Sequence, residues 1–403
     1  MSETYEGVVA VGGDLGTSTS KFCDGERIIC FSSVVGDALT DQLEESWRRM
    51  NRSTDHRWIR NLALWDEPRS CWRYVGAMTR SSQRPLWYTE AGVVQSFEDA
   101  YLGLQAGLFL LGIERQRPLG RVALGFGVPI KAGEHASSQL LDYVRGRLQV
   151  DGDRKLMSIR AKNLATGEVR EEKIEMVFSI VQFQAYGAYM ALLFSRFQMK
   201  LYNTYVVDVG HGTWIRLPVV ENEADITLAD SEPNGLHAIT RNISRAIFEK
   251  SGQKVKIPEQ RIMERLAAGQ REIEVPGAGV FNFQAMLDAE CEALADEIMT
   301  RIRNDVGALG ARGVSLDYFA IVGGGAHLLT ERLRRRIREY FGWDEAMATE
   351  RIVGVEALPV ETRYVNAAGF MLLARDQIAL ELEREVDPTL AIGAVVTETL
   401  EHA

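Results

Sequence analysis

Apolar residues change their spacing along the chain in ways that mark out its elements. The run Val8-Val9-Ala10-Val11 suits a buried strand. Asp14 and Gly16 follow in Gly12-Gly13-Asp14-Leu15-Gly16 and mark a tight turn, since glycine reaches the positive φ such turns need. Small hydroxyl residues then lead to Lys21 and Phe22, so the stretch predicts a hairpin. Phe97, Tyr101, Leu104, Leu108 and Leu111 recur at helical spacing and predict a helix over Ser96 to Gly112. Val122 to Val128 is a buried strand ended by Gly127 and Pro129. A helix over Glu134 to Leu148 follows, then a hairpin over Lys155 to Val181 around Thr166-Gly167. Ile180 to Ala188 leads from a strand into a helix reaching about Met199. Further helices are predicted from Gly235 to near Gly252, from Pro258 to Ala268, from Phe283 to Leu309, over Leu329 to Tyr340, and from Tyr364 onward. Val386 to Ala403 reads as a mobile tail.

With 403 residues the chain is too long for one compact core, and two lobes are expected. No apolar run approaches the roughly 18 residues that span a bilayer, and Met1 to Gly7 are polar and acidic, unlike a signal peptide. Cys23, Cys30, Cys71 and Cys291 have no metal-ligand spacing, so a reduced cytoplasmic protein with no membrane contact is expected. The net charge of −10 argues against direct nucleic-acid binding, because phosphate neutralisation supplies most non-specific affinity. One stretch pulls the other way. Trp47, Trp58, Trp65, Trp72 and Trp87 lie in or just after Ser32 to Arg84, with Arg48, Arg49, Arg52, Arg57 and Arg60 among the first of them. Basic and aromatic residues together can form a nucleic-acid surface; the reading taken is a small irregular subdomain with a tryptophan core. The run Arg334-Arg335-Arg336 reads as a solvated helix face.

Candidate chemistry sits at the glycine turns. The first hairpin's tip offers the N–H groups of Gly16, Thr17 and Ser18, hydroxyls and Lys21, a set that can hold phosphate oxygens. Asp14 beside phosphates is repulsive unless a cation intervenes, which implies Mg²⁺. It is not a P-loop: no Gly-x4-Gly-Lys-Ser/Thr occurs there. The pattern recurs as Tyr205-Val206-Val207-Asp208-Val209-Gly210-His211-Gly212-Thr213, about 190 residues on, suggesting two similar domains that each offer such a hairpin. A third turn, Gly323-Gly324-Gly325-Ala326, ends the apolar run Phe319 to Val322.

These three stretches resemble the phosphate 1, phosphate 2 and adenosine motifs of the actin, sugar kinase and heat-shock chaperone ATPase superfamily. Within it the chain resembles the bacterial ParM/StbA type. Cys71 to Gly76 is similar to the strand that closes a small subdomain in bacterial actin-like proteins, and Tyr364 to Phe370 to the second interdomain connection. The resemblance implies an α/β fold: two related ribonuclease-H-like lobes with a nucleotide cleft between them. The boundaries implied are 1–199 with an insert over about 32–90, 200–362, and 363–403 as a returning helix and tail. It implies ATP, with GTP as the alternative, and Mg²⁺ held by Asp14 and Asp208. Gly16, Thr17, Ser18, Lys21, Gly210, His211, Gly212 and Thr213 would bind phosphates, Gly235 would lie near the ribose, and Gly323 to Ala326 near the adenosine. Gln184 falls where relatives orient the attacking water. Two departures bear on that water: many relatives carry an acidic residue soon after the second turn, where this chain has Trp214-Ile215-Arg216, and many have glutamate in place of Gln184. The implied function is a filament-forming ATPase that segregates plasmid DNA through a DNA-binding adaptor. The alternatives are a non-polymerising small-molecule kinase and a chaperone-like ATPase.

Overall fold

The structure is a computed structural model and describes residues 7–40, 43–46, 55–82, 84–90, 93–194, 203–275, 277, 279–354, 360–381 and 395–398. The chain divides into two compact units, Met1–Met199 with Leu358–Ala403, and Lys200–Ala357. No helix among the described residues is long and apolar enough to cross a membrane.

The first unit opens with β1 (Val9–Leu15), β2 (Thr19–Cys23), β3 (Arg27–Ser32) and β4 (Val34–Asp37), followed by β5 (Leu62–Asp66), β6 (Cys71–Val75) and β7 (Pro85–Trp87). Then come α1 (Phe97–Glu114), β8 (Arg121–Val128), α2 (Gly133–Gly146), β9 (Arg154–Asn163), β10 (Val169–Phe183) and α3 (Gln184–Leu193). The side chain of Ser96 caps α1 by accepting from the Asp99 N–H at 3.1 Å, which satisfies one of the free donors at a helix start. α1 is apolar on nearly every face, and its interior residues are buried, as expected of a helix enclosed in a core. α3 ends at Leu193, short of the predicted Met199. Residues 195–200 lie outside the description.

The second unit holds β11 (Thr204–Val209) and β12 (Trp214–Val220), paired antiparallel, then α4 (Leu236–Lys250), α5 (Glu259–Ala267) and α6 (Gln284–Ala311). β13 (Tyr318–Val322) runs parallel to β11, followed by α7 (Ala326–Phe341), α8 (Glu345–Arg351) and β14 (Ile352–Val353). The arginine run is only in part the solvated face it reads as: Arg335 is exposed and Arg334 pairs with Glu331 on its own helix, but the run and its neighbour Arg332 also bridge to α6. Arg332, Arg335 and Arg336 reach from α7 to Asp288, Glu292 and Asp296 of α6 at 2.6–3.1 Å. Arg216 answers the departure after the second turn, since it leaves the turn for a buried pair. It donates to both carboxylate oxygens of Asp305, which also accepts from the Tyr205 hydroxyl at 2.6 Å.

The chain then returns to the first unit as α9 (Val365–Glu381) and β15 (Val395–Glu398). The sheet order is β15-β3-β2-β1-β8-β10-β9-β5-β6-β4-β7, with Gln149–Asp151 beside β9, twelve strands in all. Two sequence readings change here. Residues 395–398 of the expected tail form a strand parallel to β3. β6 is an interior strand, between β5 and β4, and continues the main sheet through β9. The tryptophans among the described residues accordingly form no core of their own, although Trp72 packs against a small separate cluster of Ala63, Tyr74, Met78 and Leu164. Trp58 packs edge-on against Phe109 of α1 in the main core, Trp65 and Trp72 meet each other under Arg160, and Trp87 is exposed. Trp47, Arg48, Arg49 and Arg52 lie outside the described residues.

Glycines bring α3 and α9 together. A Cβ on Gly187 would meet the Asn366 carbonyl oxygen at 2.5 Å, and one on Gly369 would meet the Ala191 nitrogen at 2.9 Å. Asn366 adds a hydrogen bond from the Ala188 N–H to its Oδ1 at 3.0 Å. This crossing seats the first residue of α3, Gln184, beneath the first hairpin.

Candidate functional site: two glycine turns

The first turn lies between β1 and β2, where Asp14 pairs with Lys21 and Leu15 with Ser20. Asp14 is buried, with its charge answered at once by Lys21, whose Nζ lies 3.0 Å from Oδ2. Gln184 approaches from α3. Its Nε2 donates to Asp14 Oδ1 and to the Leu15 carbonyl oxygen, both at 3.0 Å. Both amide hydrogens are therefore engaged, and the Oε1 acceptor is what the side chain has left to offer. Among the described residues, no acceptor takes the N–H groups of Gly16, Thr17 or Ser18. Lys21 stands on Asp14 in this arrangement, and the phosphate contact expected of it belongs to the proposal below.

A buried hydroxyl network that sequence reasoning missed holds this turn from behind. The Gly16 carbonyl accepts from Ser33 Oγ at 2.6 Å and from Thr89 Oγ1 at 2.7 Å. Ser20 Oγ lies 2.9 Å from Ser33 Oγ and hydrogen-bonds the Tyr88 hydroxyl. All four side chains are buried, and burial pushes the Tyr88 phenol up to about 12, so it keeps its proton. Ser33, Tyr88 and Thr89 come from the tryptophan-rich stretch and its flanks. Their polarity amid apolar neighbours was the one available signal.

The second turn lies between β11 and β12, and the start of α4 is bound to it. The N–H groups of Leu236 and His237 donate to the carbonyls of Gly210 and His211 at 3.2 and 2.7 Å, with a longer bond from Gly235 to Gly212 at 3.4 Å. In a trans peptide the N–H points opposite to the C=O. Carbonyls that face α4 therefore turn the N–H groups of His211 and Gly212 away from it, side by side. That is the arrangement that makes an anion-binding concavity. Gly210 departs from the expectation, because its own N–H closes the turn on the Thr213 carbonyl at 2.9 Å. Gly235 must be glycine here: a Cβ would meet the Gly210 and His211 carbonyl oxygens at 2.7 Å and the Thr213 nitrogen at 2.8 Å.

Asp208 is buried at the root of this turn, opposite Val322 of β13. The glycine turn Gly323, Gly324, Gly325 then wraps the same strand end and leads into Ala326, the first residue of α7. Gly323 has φ +89°, and its Cβ would meet the Val209 carbonyl oxygen at 2.5 Å. That carbonyl accepts from the Gly325 N–H at 2.8 Å. Desolvation, with the neighbouring His237 second, holds the His211 imidazole down at about 4, so it is neutral at pH 7. The two rings meet edge-on at 5.6 Å, and His237 Nδ1 lies 2.9 Å from Glu259 Oε2.

Comparison with solved structures fits this layout. An archaeal actin homologue, Ta0583, superposes with a TM-score of 0.63 at 19% identity, covering 91% of this chain and 99% of that one. The fold is actin-like. A crystal structure of the same archaeal homologue contains ADP. The ParM of a 15-stranded filament from Clostridium botulinum gives a TM-score of 0.63 at 16% identity, covering 92% of this chain and 99% of that one. Bacillus thuringiensis ParM with ATP gives 0.57 at 15%, covering 92% and 99%. No protein-family model and no curated protein matches the sequence. The actin-like fold thus places Asp14, Gly16, Thr17, Ser18, Lys21 and Gln184 together in the first unit. It places Asp208, Gly210, His211, Gly212, Thr213, Gly235 and Gly323 to Ala326 together in the second.

Proposed function

We propose that the chain is an ATPase whose product is a filament, and that it positions plasmid DNA through a DNA-binding adaptor. The observation that carries the nucleotide reading is the second turn, whose carbonyls are held by α4 so that the His211 and Gly212 N–H groups face the other way. The ADP and ATP complexes of the structural neighbours support the same reading, and the ParM filament supports self-assembly.

Phosphoryl transfer to water needs positioning and charge neutralisation more than covalent chemistry. In this proposal the free N–H groups of Gly16, Thr17 and Ser18 and those of the second turn donate to ATP phosphates, and Lys21 adds a fixed cation. Gly323 to Ala326 and Gly235 take the nucleoside side. Buried carboxylates are hard oxygen donors of the kind Mg²⁺ takes, and Asp14 keeps free lone pairs beside those used by Lys21 and Gln184. Asp14 and Asp208 would hold Mg²⁺ through its waters, where it would neutralise phosphate charge. Gln184 Oε1 accepts a hydrogen bond from the attacking water. A neutral amide is a weak base, so turnover is slow. Phosphate release measured with and without Mg²⁺, beside nucleotide affinity, tests this reading. Absence of nucleotide binding would remove it.

A further inference from the structure

The first unit contains a cavity of about 250 Å³ between α1, α2 and the strands β5 and β9, away from the glycine turns. Its size far exceeds the ~30 Å³ share of one water. Trp65, Tyr101 and Tyr143 give it flat apolar walls, and Arg147 stands over the Tyr143 ring at 5.6 Å. Three polar groups in its lining have no hydrogen-bond partner among the described residues: the Tyr101 hydroxyl, Gln105 Oε1 and Ser158 Oγ. Of the three, only Ser158 Oγ is shut off from solvent altogether; Tyr101 and Gln105 are 8% and 7% exposed as whole residues. Buried polar groups are almost always paired, and each exception calls for a reason.

The orientation of Gln105 fixes what it asks for. Its Nε2 donates to the Ser158 carbonyl at 2.8 Å, which leaves Oε1 as an acceptor in need of a donor. Burial pushes the Tyr101 phenol up, so that hydroxyl keeps its proton and can donate. An acceptor and two hydroxyl donors therefore share one pocket with aromatic walls. Concave, mostly apolar sites with a few such polar groups are where small ligands bind. We propose that this cavity binds a small planar molecule whose edge sets an N–H donor beside a carbonyl, as in an aromatic primary amide.

Saturation-transfer NMR on the full chain tests this, with nicotinamide as probe and N,N-dimethylnicotinamide as the control that keeps ring and carbonyl but has no N–H. The expected result is saturable nicotinamide binding, with the dimethyl amide weaker by about tenfold or more because Gln105 Oε1 would stay unpaired against it. Gln105→Leu should abolish that discrimination, and Tyr101→Phe, which keeps the ring, should weaken nicotinamide. Should Gln105→Leu fail to fold, the wild-type contrast between the two amides still decides. No saturable nicotinamide binding, or equal affinity for both amides, overturns the proposal and leaves a water-filled cavity.

Discussion

Asp14 carries three duties at once: it anchors Lys21, it accepts from Gln184, and it stands at the root of the first turn. Alanine and asparagine both leave Lys21 without its counter-ion, but asparagine keeps the side chain's shape and one acceptor oxygen, so Asp14→Asn is the cleaner test. That variant should lose ATP hydrolysis by roughly a hundredfold, the scale seen when one preorganised polar group is removed from a reaction site. Steady-state phosphate release, with circular dichroism to confirm the fold, checks it. Gln184→Ala should act on kcat, on the order of a hundredfold, and little on nucleotide affinity, because in the proposed mechanism its remaining acceptor serves the water and not the phosphates. Equal losses in both would mark Gln184 as a structural tie of Asp14. His211 gives a pH dependence. Its folded value of about 4 lies below the ordinary 6.5, so the unfolded chain binds the proton first. Stability from this group is full above pH 6.5 and is lost as pH falls toward 4. Thermal melts of His211→Asn should therefore show a shallower fall over that window than the parent.

At the scale of elements, glycine contacts decide how the helices seat. Gly235→Ala puts a methyl against three backbone atoms of the second turn, none of which can rotate away. The expected cost is about 1–3 kcal/mol in the second unit, with a loss of nucleotide affinity larger than the melting shift alone explains. Unchanged affinity in titration calorimetry would separate the α4 contact from the site. The hairpins and the glycine turns were legible because strand periodicity and glycine punctuation are local signals. Gly235 stood out only through the resemblance, which set it near the ribose; its three backbone contacts were not legible, since they depend on where α4 lands. Ser33, Tyr88 and Thr89 could not be assigned from sequence, because their partners are far along the chain: the Gly16 carbonyl for Ser33 and Thr89, 17 and 73 residues away, and the Ser20 hydroxyl for Tyr88, 68 residues away. The bridges of Arg335 and Arg336 were missed for the same reason: their carboxylates lie on α6, about 40 residues earlier. Val395-Val396-Thr397 is a β-branched run that signals a strand, but its partner β3 lies at the other end of the chain, so the pairing was not legible.

For the whole molecule, the central claim is that nucleotide controls self-association. Contacts that join one copy head-to-tail to the next, without closing a ring, make filaments. ATP promotes them only as far as it binds the assembling form better than the other. A net charge of −10 opposes assembly by self-repulsion, so moderate salt should help by screening it. The most direct measurement is light scattering with negative-stain imaging at micromolar protein, in ATP, ADP and no nucleotide, across a salt series. Filaments that form with ATP and shorten or vanish with ADP are the expected result. A monomer in all three states at every salt concentration would contradict the claim.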